Sequence, residues 1–394
     1  MPDRSPGFQQ RTAVDVGFGA RRNLAAGAAR LGMARPGLLV DANLAGGPVA
    51  RLISAELPAG VLIASPAGEP TTDGVRAVAR EIEAAGADGV VAVGGGSTLD
   101  TAKLARGFLA SGVDRLADIP ELLDPPPLPL IAMPTTAGTG AEMGAGAIVY
   151  DIEVADKILV RRQQLAADLA IADAELTLGL PAHVTAWTGL DAFAQALMAY
   201  LPASSNSISG QSAIAAMRLL VNHLPRAVGD GEDTAARSGT MLGSVLSAMA
   251  MYNAPPVYAG EHVFAEPLGA ALRVAHGHAV AALLPGTVEF NADAFAPEYA
   301  ELAEALGWDE PGEDVASAAH GFVARLRDLV HELGVEPLAL PGGTDIGALA
   351  ARCEAHEAYA LNPRPIERAD AVAILRGAFD GSFHIRHREV SDVR

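Results

Sequence analysis

Up to about residue 180, short runs of Val, Ile and Leu alternate with Ala-rich segments whose apolar positions recur at helical spacing. That alternation is the signature of βαβ units around a parallel sheet. The strand candidates are residues 37–41, 61–64, 89–93 and 128–133. Between the second and third, Val75, Val78, Ala79 and Ile82 fall on one helical face, and Gly86 is placed to end that helix. After Pro181 the alternation stops. Residues 207–224, 235–251 and 299–306 read as helices, and strand signals are few. The pattern therefore predicts an α/β domain with a parallel sheet over 1–180 and an all-helical domain over 181–394. The triple proline at 125–127 reads as a stiff connector ahead of a strand, and no repeat of fixed period is visible. Function is expected where the halves meet, since clefts favour domain interfaces.

Composition narrows the function classes. A chain of 394 residues, half of them hydrophobic, is long enough for two cores. The formal charge of −19 and the lack of any Lys/Arg block disfavour a nucleic-acid partner. Cys353 is the only cysteine, which excludes an internal disulfide or a CxxC metal knuckle and fits a reducing cytoplasm. The opening MPDRSPGFQQ lacks the apolar core of a signal peptide, and no run reaches membrane-spanning length. The expected setting is soluble and cytoplasmic, with no membrane partner.

Two glycine-bearing loops carry the first chemistry. In GVVAVGGGSTLDTAK, Gly94, Gly95 and Gly96 follow an apolar strand and precede a helix that Ser97 is placed to cap. Glycines allow backbone N–H groups to approach an anion closely, and a helix N-terminus adds a favourable dipole. The plainer alternative is a tight strand-to-helix turn, since this is neither a full GxGxxG nor a Walker A loop. PTTAGTGAE likewise follows a strand and offers the hydroxyls of Thr135, Thr136 and Thr139. Two such loops suit one dinucleotide. Asp41, at the end of the strand GLLVD, can accept hydrogen bonds from a ribose diol and repel a 2′-phosphate, or else serve as a turn acid.

Spacing makes a metal constellation geometrically possible, the plainer alternative being histidines that serve as core or surface residues. In GLDAFAQALMAY, Asp191 and Gln195 stand four apart and so share a helix face. Further on, GEHVFAEPLGAALRVAHGHAVAALLP supplies His262, Glu266, His276 and His278 in an otherwise apolar stretch. His262 and Glu266 repeat the four-residue spacing, and the PLG that follows them is expected to turn the chain, allowing convergence.

GGGSTLDTAK, PTTAGTGAE, TGLDAFAQA, EHVFAEPLGA, AHGHAVAALLP and NPRPIERADAVAIL, in this order, resemble the motifs of the iron-containing (group III) alcohol dehydrogenase family. The resemblance covers nearly the whole chain. It implies a dinucleotide-binding α/β domain, a helical domain, and a metal and substrate cleft between them, with relatives commonly forming dimers. By position, Gly94, Gly95, Gly96 and Ser97 would hold the pyrophosphate. Asp41, Asp100, Thr135, Thr136, Thr139 and Lys157 would complete the cofactor site. The family's ligands, an Asp, a His four residues later and two further His, fall on Asp191, Gln195, His262 and His276.

The sequence departs from the family around the metal. Gln195 replaces a ligand His, and Glu266 replaces the second His of H-x-x-x-H-P-L-G, a position that normally lies near the reacting group. Met198 and Val280 replace an acid and an Asn. A carboxamide suits Zn²⁺ or Fe²⁺ less well than imidazole, so a weak site is expected. Glu266 would then compensate as a ligand, or act as general acid or base with its protonated form favoured by burial beside Phe264 and Leu268; His262 and His278 are the other candidate proton carriers. The implied activity is NAD(H)-dependent interconversion of an alcohol with an aldehyde or ketone, NADP(H) being disfavoured by Asp41. The alternatives are a metal-independent reductase of an activated carbonyl, like the maleylacetate reductases, and a non-redox or ligand-binding protein on the same fold.

Overall fold

The computed structural model describes residues 7–201, 207–254 and 260–385. Residues 1–6, on which the reading of the N-terminal segment partly rests, lie outside them. Contacts divide the chain into two units. One holds Gln9–Leu180 and Glu232–Ala248; the other holds Pro181–Gly231 and the chain from Met249 onward.

The first unit is built on eight strands among the described residues: β1 (Ala13–Val16), β2 (Gly37–Val40), β3 (Val61–Ala64), β4 (Val90–Gly94), β5 (Leu130–Pro134), β6 (Gly146–Asp151), β7 (Asp156–Arg161) and β8 (Leu169–Ala172). Six form a parallel sheet in the order β1-β8-β5-β4-β2-β3, while β6 and β7 form an antiparallel hairpin. Every residue of β2, β4, β5 and β8 is buried, as expected of inner strands covered on both faces. The pleat sends alternate residues to opposite cores. Leu39, Ile63, Val90, Ala92 and Leu130 meet α3 (Thr72–Ala84) and α4 (Gly96–Ser111), whereas Leu38, Val40, Val91, Val93 and Ile131 meet α1 (Leu24–Arg30) and α2 (Pro48–Glu56). The chain leaves β2 outward to β3 and returns to β4 on the other side, so the strand order reverses beside the C-terminal ends of β2 and β4. Open α/β sheets bind ligands at such a point.

The hairpin, β1 and β8 are additions to the strands expected from pattern. Pattern also overlooked that Glu232–Ala248, inside the expected helical half, groups with the sheet. There Ser244 Oγ donates to the Gly138 carbonyl at 3.4 Å, and Arg237 Nη2 donates to that of Leu180 at 3.3 Å.

The remaining helices are α5 (Ala182–Tyr200), α6 (Ser207–Gly229), α7 (Thr234–Tyr252), α8 (His262–Leu272), α9 (His276–Phe290), α10 (Ala296–Leu306), α11 (Val315–Glu332), α12 (Ile346–Glu354) and α13 (Arg368–Asp380). In the second unit α5 packs on α6 and α9, and α8 packs on α9 and α12. Pro267 lies inside α8 and does not turn the chain there. The reversal comes at Arg273, whose φ of 55° ends the helix in the left-handed region. No described helix is long and apolar enough to cross a membrane.

Candidate active site

In the first unit, the C-terminal ends of β2, β4 and β5 carry Asp41, Gly94–Gly96 and Thr135–Thr139 as neighbours. Helix α4 starts at Gly96 with Gly95 as its N-cap, and no side chain caps it. Ser97 therefore sits within the first turn and is not the cap. The N-terminal amides of the helix keep their positive pole without a protein carboxylate or hydroxyl in the capping position. The three glycines serve different ends. A Cβ on Gly94 would meet Thr98 Oγ1 at 2.5 Å, and one on Gly96 would meet Thr139 Oγ1 at 2.9 Å, so both are required by packing of the protein on itself. A Cβ on Gly95 would meet nothing nearer than Thr136 at 3.7 Å. Its φ of −76° is open to any residue. Neither conformation nor packing requires a glycine there, which leaves the backbone of this turn open to close approach by an anion.

Asp41 is a turn acid that also bonds to the helix after the glycines. Its Oδ1 accepts from the Asn43 backbone N–H at 2.8 Å, and its Oδ2 accepts from Thr98 Oγ1, on the helix that follows the glycines, at 3.1 Å. Two expected cofactor residues have other partners. Asp100 is taken up by Lys103 Nζ at 3.2 Å and by the Ile148 N–H at 2.9 Å, which ties α4 to the hairpin. Lys157, on β7, donates to Glu69 Oε1 at 2.5 Å.

In the second unit, α5 presents Asp191 and Gln195, α8 begins with His262 and α9 begins with His276. One ligand atom from each of Asp191, His262 and His276 lies within 4.8 Å of the others. His262 Nε2 is 3.5 Å and His276 Nε2 is 3.9 Å from Asp191 Oδ1. Gln195 Nε2 donates to the same oxygen at 3.2 Å, while its Oε1 is buried with no hydrogen-bond partner. Leaving a buried carbonyl oxygen unpaired is costly, and a cation beside it removes the cost. The donor set fits a divalent metal: one carboxylate, two imidazoles and one neutral oxygen.

Glu261, which sequence reasoning passed over, supplies the outer support. Its buried carboxylate accepts from His262 Nδ1 at 2.8 Å, which fixes the ring with Nε2 toward Asp191. Burial alone would lower the His262 pKa, but the bonds to Asp191 and Glu261 lift it to about 10. Burial likewise pushes Asp191 up, and the two histidines outweigh it to hold the carboxyl below its ordinary range.

Two expected catalytic residues are placed differently. Glu266 is outside the ligand cluster, and its Oε2 accepts from His356 Nε2 at 3.0 Å. Its side chain is 43% exposed. Burial raises its pKa, yet the His356 bond and the nearby histidines lower it overall, so the ionised form is favoured and the expected protonated acid is not. His278 donates from Nε2 to the Glu336 carbonyl at 2.7 Å and stacks on Trp187 at 4.3 Å, an arrangement that packs the first turn of α9. His356, in CEAHEAY, is 90 positions from Glu266 and carries no spacing signal.

Family models match along most of the chain: "Iron-containing alcohol dehydrogenase" over residues 12–174 and "Fe-containing alcohol dehydrogenase family, C-terminal" over residues 185–379. Long-chain-alcohol dehydrogenase 1 of Geobacillus thermodenitrificans is 36% identical over 312 residues, 76% of this chain and 77% of that protein. Among solved structures, an alcohol dehydrogenase from Oenococcus oeni superposes with a TM-score of 0.86 at 29% identity, covering 95% of this chain and 100% of that one. A sulfoacetaldehyde reductase from Bifidobacterium kashiwanohense in complex with NAD⁺ gives 0.82 at 26% identity, over 94% and 98%.

Proposed function

Because this chain belongs to the iron-containing alcohol dehydrogenase family and is an NAD-dependent oxidoreductase acting between an alcohol and its carbonyl, we propose the residues that carry the reaction. Asp191, Gln195, His262 and His276 hold a divalent ion, Fe²⁺ or Zn²⁺. Asp41, Gly94, Gly95, Gly96 and the Thr135–Thr139 loop bind NAD(H), with Gly95 giving the pyrophosphate its close approach. The observation that carries the metal assignment is the convergence of ligand atoms of Asp191, His262 and His276 within 4.8 Å, with the Gln195 amide bonded to Asp191 and its Oε1 buried and unbonded. When bound, the ion supplies Lewis-acid polarisation of the substrate oxygen.

The chain's own residues do the rest. Glu261 takes the His262 Nδ1 proton in a hydrogen bond and keeps Nε2 aimed at Asp191. The α4 N-terminus and Gly95 orient the nucleotide. Bound NAD⁺ would accept the hydride as the alcohol is oxidised, with one proton released to the medium. Asp41 favours NAD(H), since a 2′-phosphate would face its carboxylate. A cytoplasmic homodimer is part of the same reading, and sedimentation of the purified protein tests the dimer.

The experiment is NAD⁺ reduction with a panel of primary alcohols before and after chelation. We expect activity to fall to background on chelation and to return with Zn²⁺ or anaerobic Fe²⁺. Full turnover by metal-free protein would transfer the protein to the metal-independent reductases; no nicotinamide-linked turnover with any alcohol or aldehyde would point to a non-redox role.

A further inference from the structure

Glu266 stands one helical turn after His262 on the same face of α8, where side chains four apart lie about 6 Å from each other at Cβ. Its neighbours Val263, Phe264, Ala265 and Leu268 are buried, whereas the Glu266 side chain is 43% exposed.

The carboxylate is held in place by a built arrangement. His356 Nδ1 accepts the Ala358 backbone N–H at 3.1 Å, which puts the ring proton on Nε2, and Nε2 donates to Glu266 Oε2. The segment that follows His356 is anchored in turn. Asn291 and Asn362 exchange amide bonds at 3.0 and 2.8 Å, and Arg364 Nη1 donates to the Phe290 carbonyl at 3.0 Å with its guanidinium over the Phe290 ring. The NPRP motif thus fastens the chain that orients Glu266.

One carboxylate oxygen, Oε1, accepts no hydrogen bond among the described residues, and no Lys or Arg pairs with Glu266. Glu266 is therefore a carboxylate oriented by His356, 43% exposed and with one oxygen unbonded, one helical turn from His262.

We infer that Glu266 is a specificity-determining residue, selecting short substrates that carry an ammonium group near the reacting hydroxyl or carbonyl, and that His356 is its positioning residue. The inference rests on the active-site reading above. The ammonium would sit at Glu266 Oε1 while the hydroxyl-bearing carbon lies at the ligand cluster, one helical turn away at His262. A bulky anionic substrate would meet the same charge as repulsion.

The test compares choline with its neutral carbon isostere, in which a tert-butyl group replaces the trimethylammonium, as substrates for NAD⁺ reduction by the metal-loaded protein. The wild type should favour choline in kcat/KM by about tenfold, a value set by a partly exposed ion pair. In Glu266→Gln the ratio should fall to near unity whatever the absolute rates. His356→Ala should lower it part of the way, through KM for choline and not through kcat. Tetramethylammonium chloride should inhibit the wild type competitively and Glu266→Gln weakly. A wild-type ratio at or below unity, or an unchanged ratio in Glu266→Gln, overturns the inference while leaving the dehydrogenase intact. Absence of turnover with both compounds and with the panel of primary alcohols overturns both readings together.

Discussion

Single residues in this protein separate what the fold needs from what a ligand needs. Gly94 and Gly95 are adjacent and look alike in sequence, yet a methyl group clashes with Thr98 at the first and makes only ordinary contact with Thr136 at the second. Gly94→Ala should therefore destabilise the first unit, by about 1–3 kcal/mol for overpacking. Gly95→Asp should keep its melting temperature and lose NAD⁺ affinity, because a carboxylate would occupy the place of the pyrophosphate. Thermal unfolding and nucleotide titration of the two variants check this, and tight NAD⁺ binding by folded Gly95→Asp would remove the loop from the cofactor site. Residue spacing made Asp191 and Gln195, and His262 and Glu266, legible as pairs on helix faces. It gave no access to Glu261 and His356, because what they do depends on which oxygen and which ring nitrogen face each other. The expected protonation of Glu266 failed for that reason: Phe264 and Leu268 are buried as expected, but the pairing with His356 decides the charge.

At the scale of elements, the inner strands were readable because burial on both faces makes them continuous apolar runs, as in VVAVG and LIAMP. The edge strand β1, AVDV, has no such run, and β8, LAIA, is four residues in an Ala-rich surrounding. The hairpin escaped notice because its turn, between Asp151 and Asp156, has none of the Gly or Asn that usually mark one; Ala155 takes the positive φ of 55° instead. The loop after β5 has its own pH signature. Burial pushes Glu142 from its ordinary 4.5 to about 7, against weaker lowering by its own backbone N–H and by Lys103. The folded protein then holds a proton that the unfolded chain has released. The stability linked to Glu142 is complete below pH 4.5, falls as pH rises to about 7, and stays level above that. Glu142→Gln should abolish this fall, a difference on the order of 3 kcal/mol between the ends of the window. Denaturant midpoints of both proteins on either side of the window measure it; parallel pH profiles would show that Glu142 is not the group responsible.

For the molecule as a whole, pattern separated a sheet-bearing half from a helical half, and the contacts assign the glycine loops to one unit and the proposed metal ligands to the other. What pattern could not see was Glu232–Ala248, helical in sequence yet grouped with the sheet, because periodicity reports a helix and not its partner. Holding the two functions in separate units makes them separable by experiment: loss of metal should leave NAD⁺ binding by the glycine loops, and Gly95→Asp should leave metal binding. The central claim is that Gln195 completes a working metal site with Asp191, His262 and His276. Equilibrium dialysis of the wild type, Gln195→His and His276→Ala against Zn²⁺, followed by elemental analysis, tests it most directly. The account predicts one ion per wild-type chain, binding about tenfold or more tighter in Gln195→His because imidazole is the better donor, and almost none in His276→Ala. A wild type that stays metal-free yet reduces a carbonyl with NADH would contradict it.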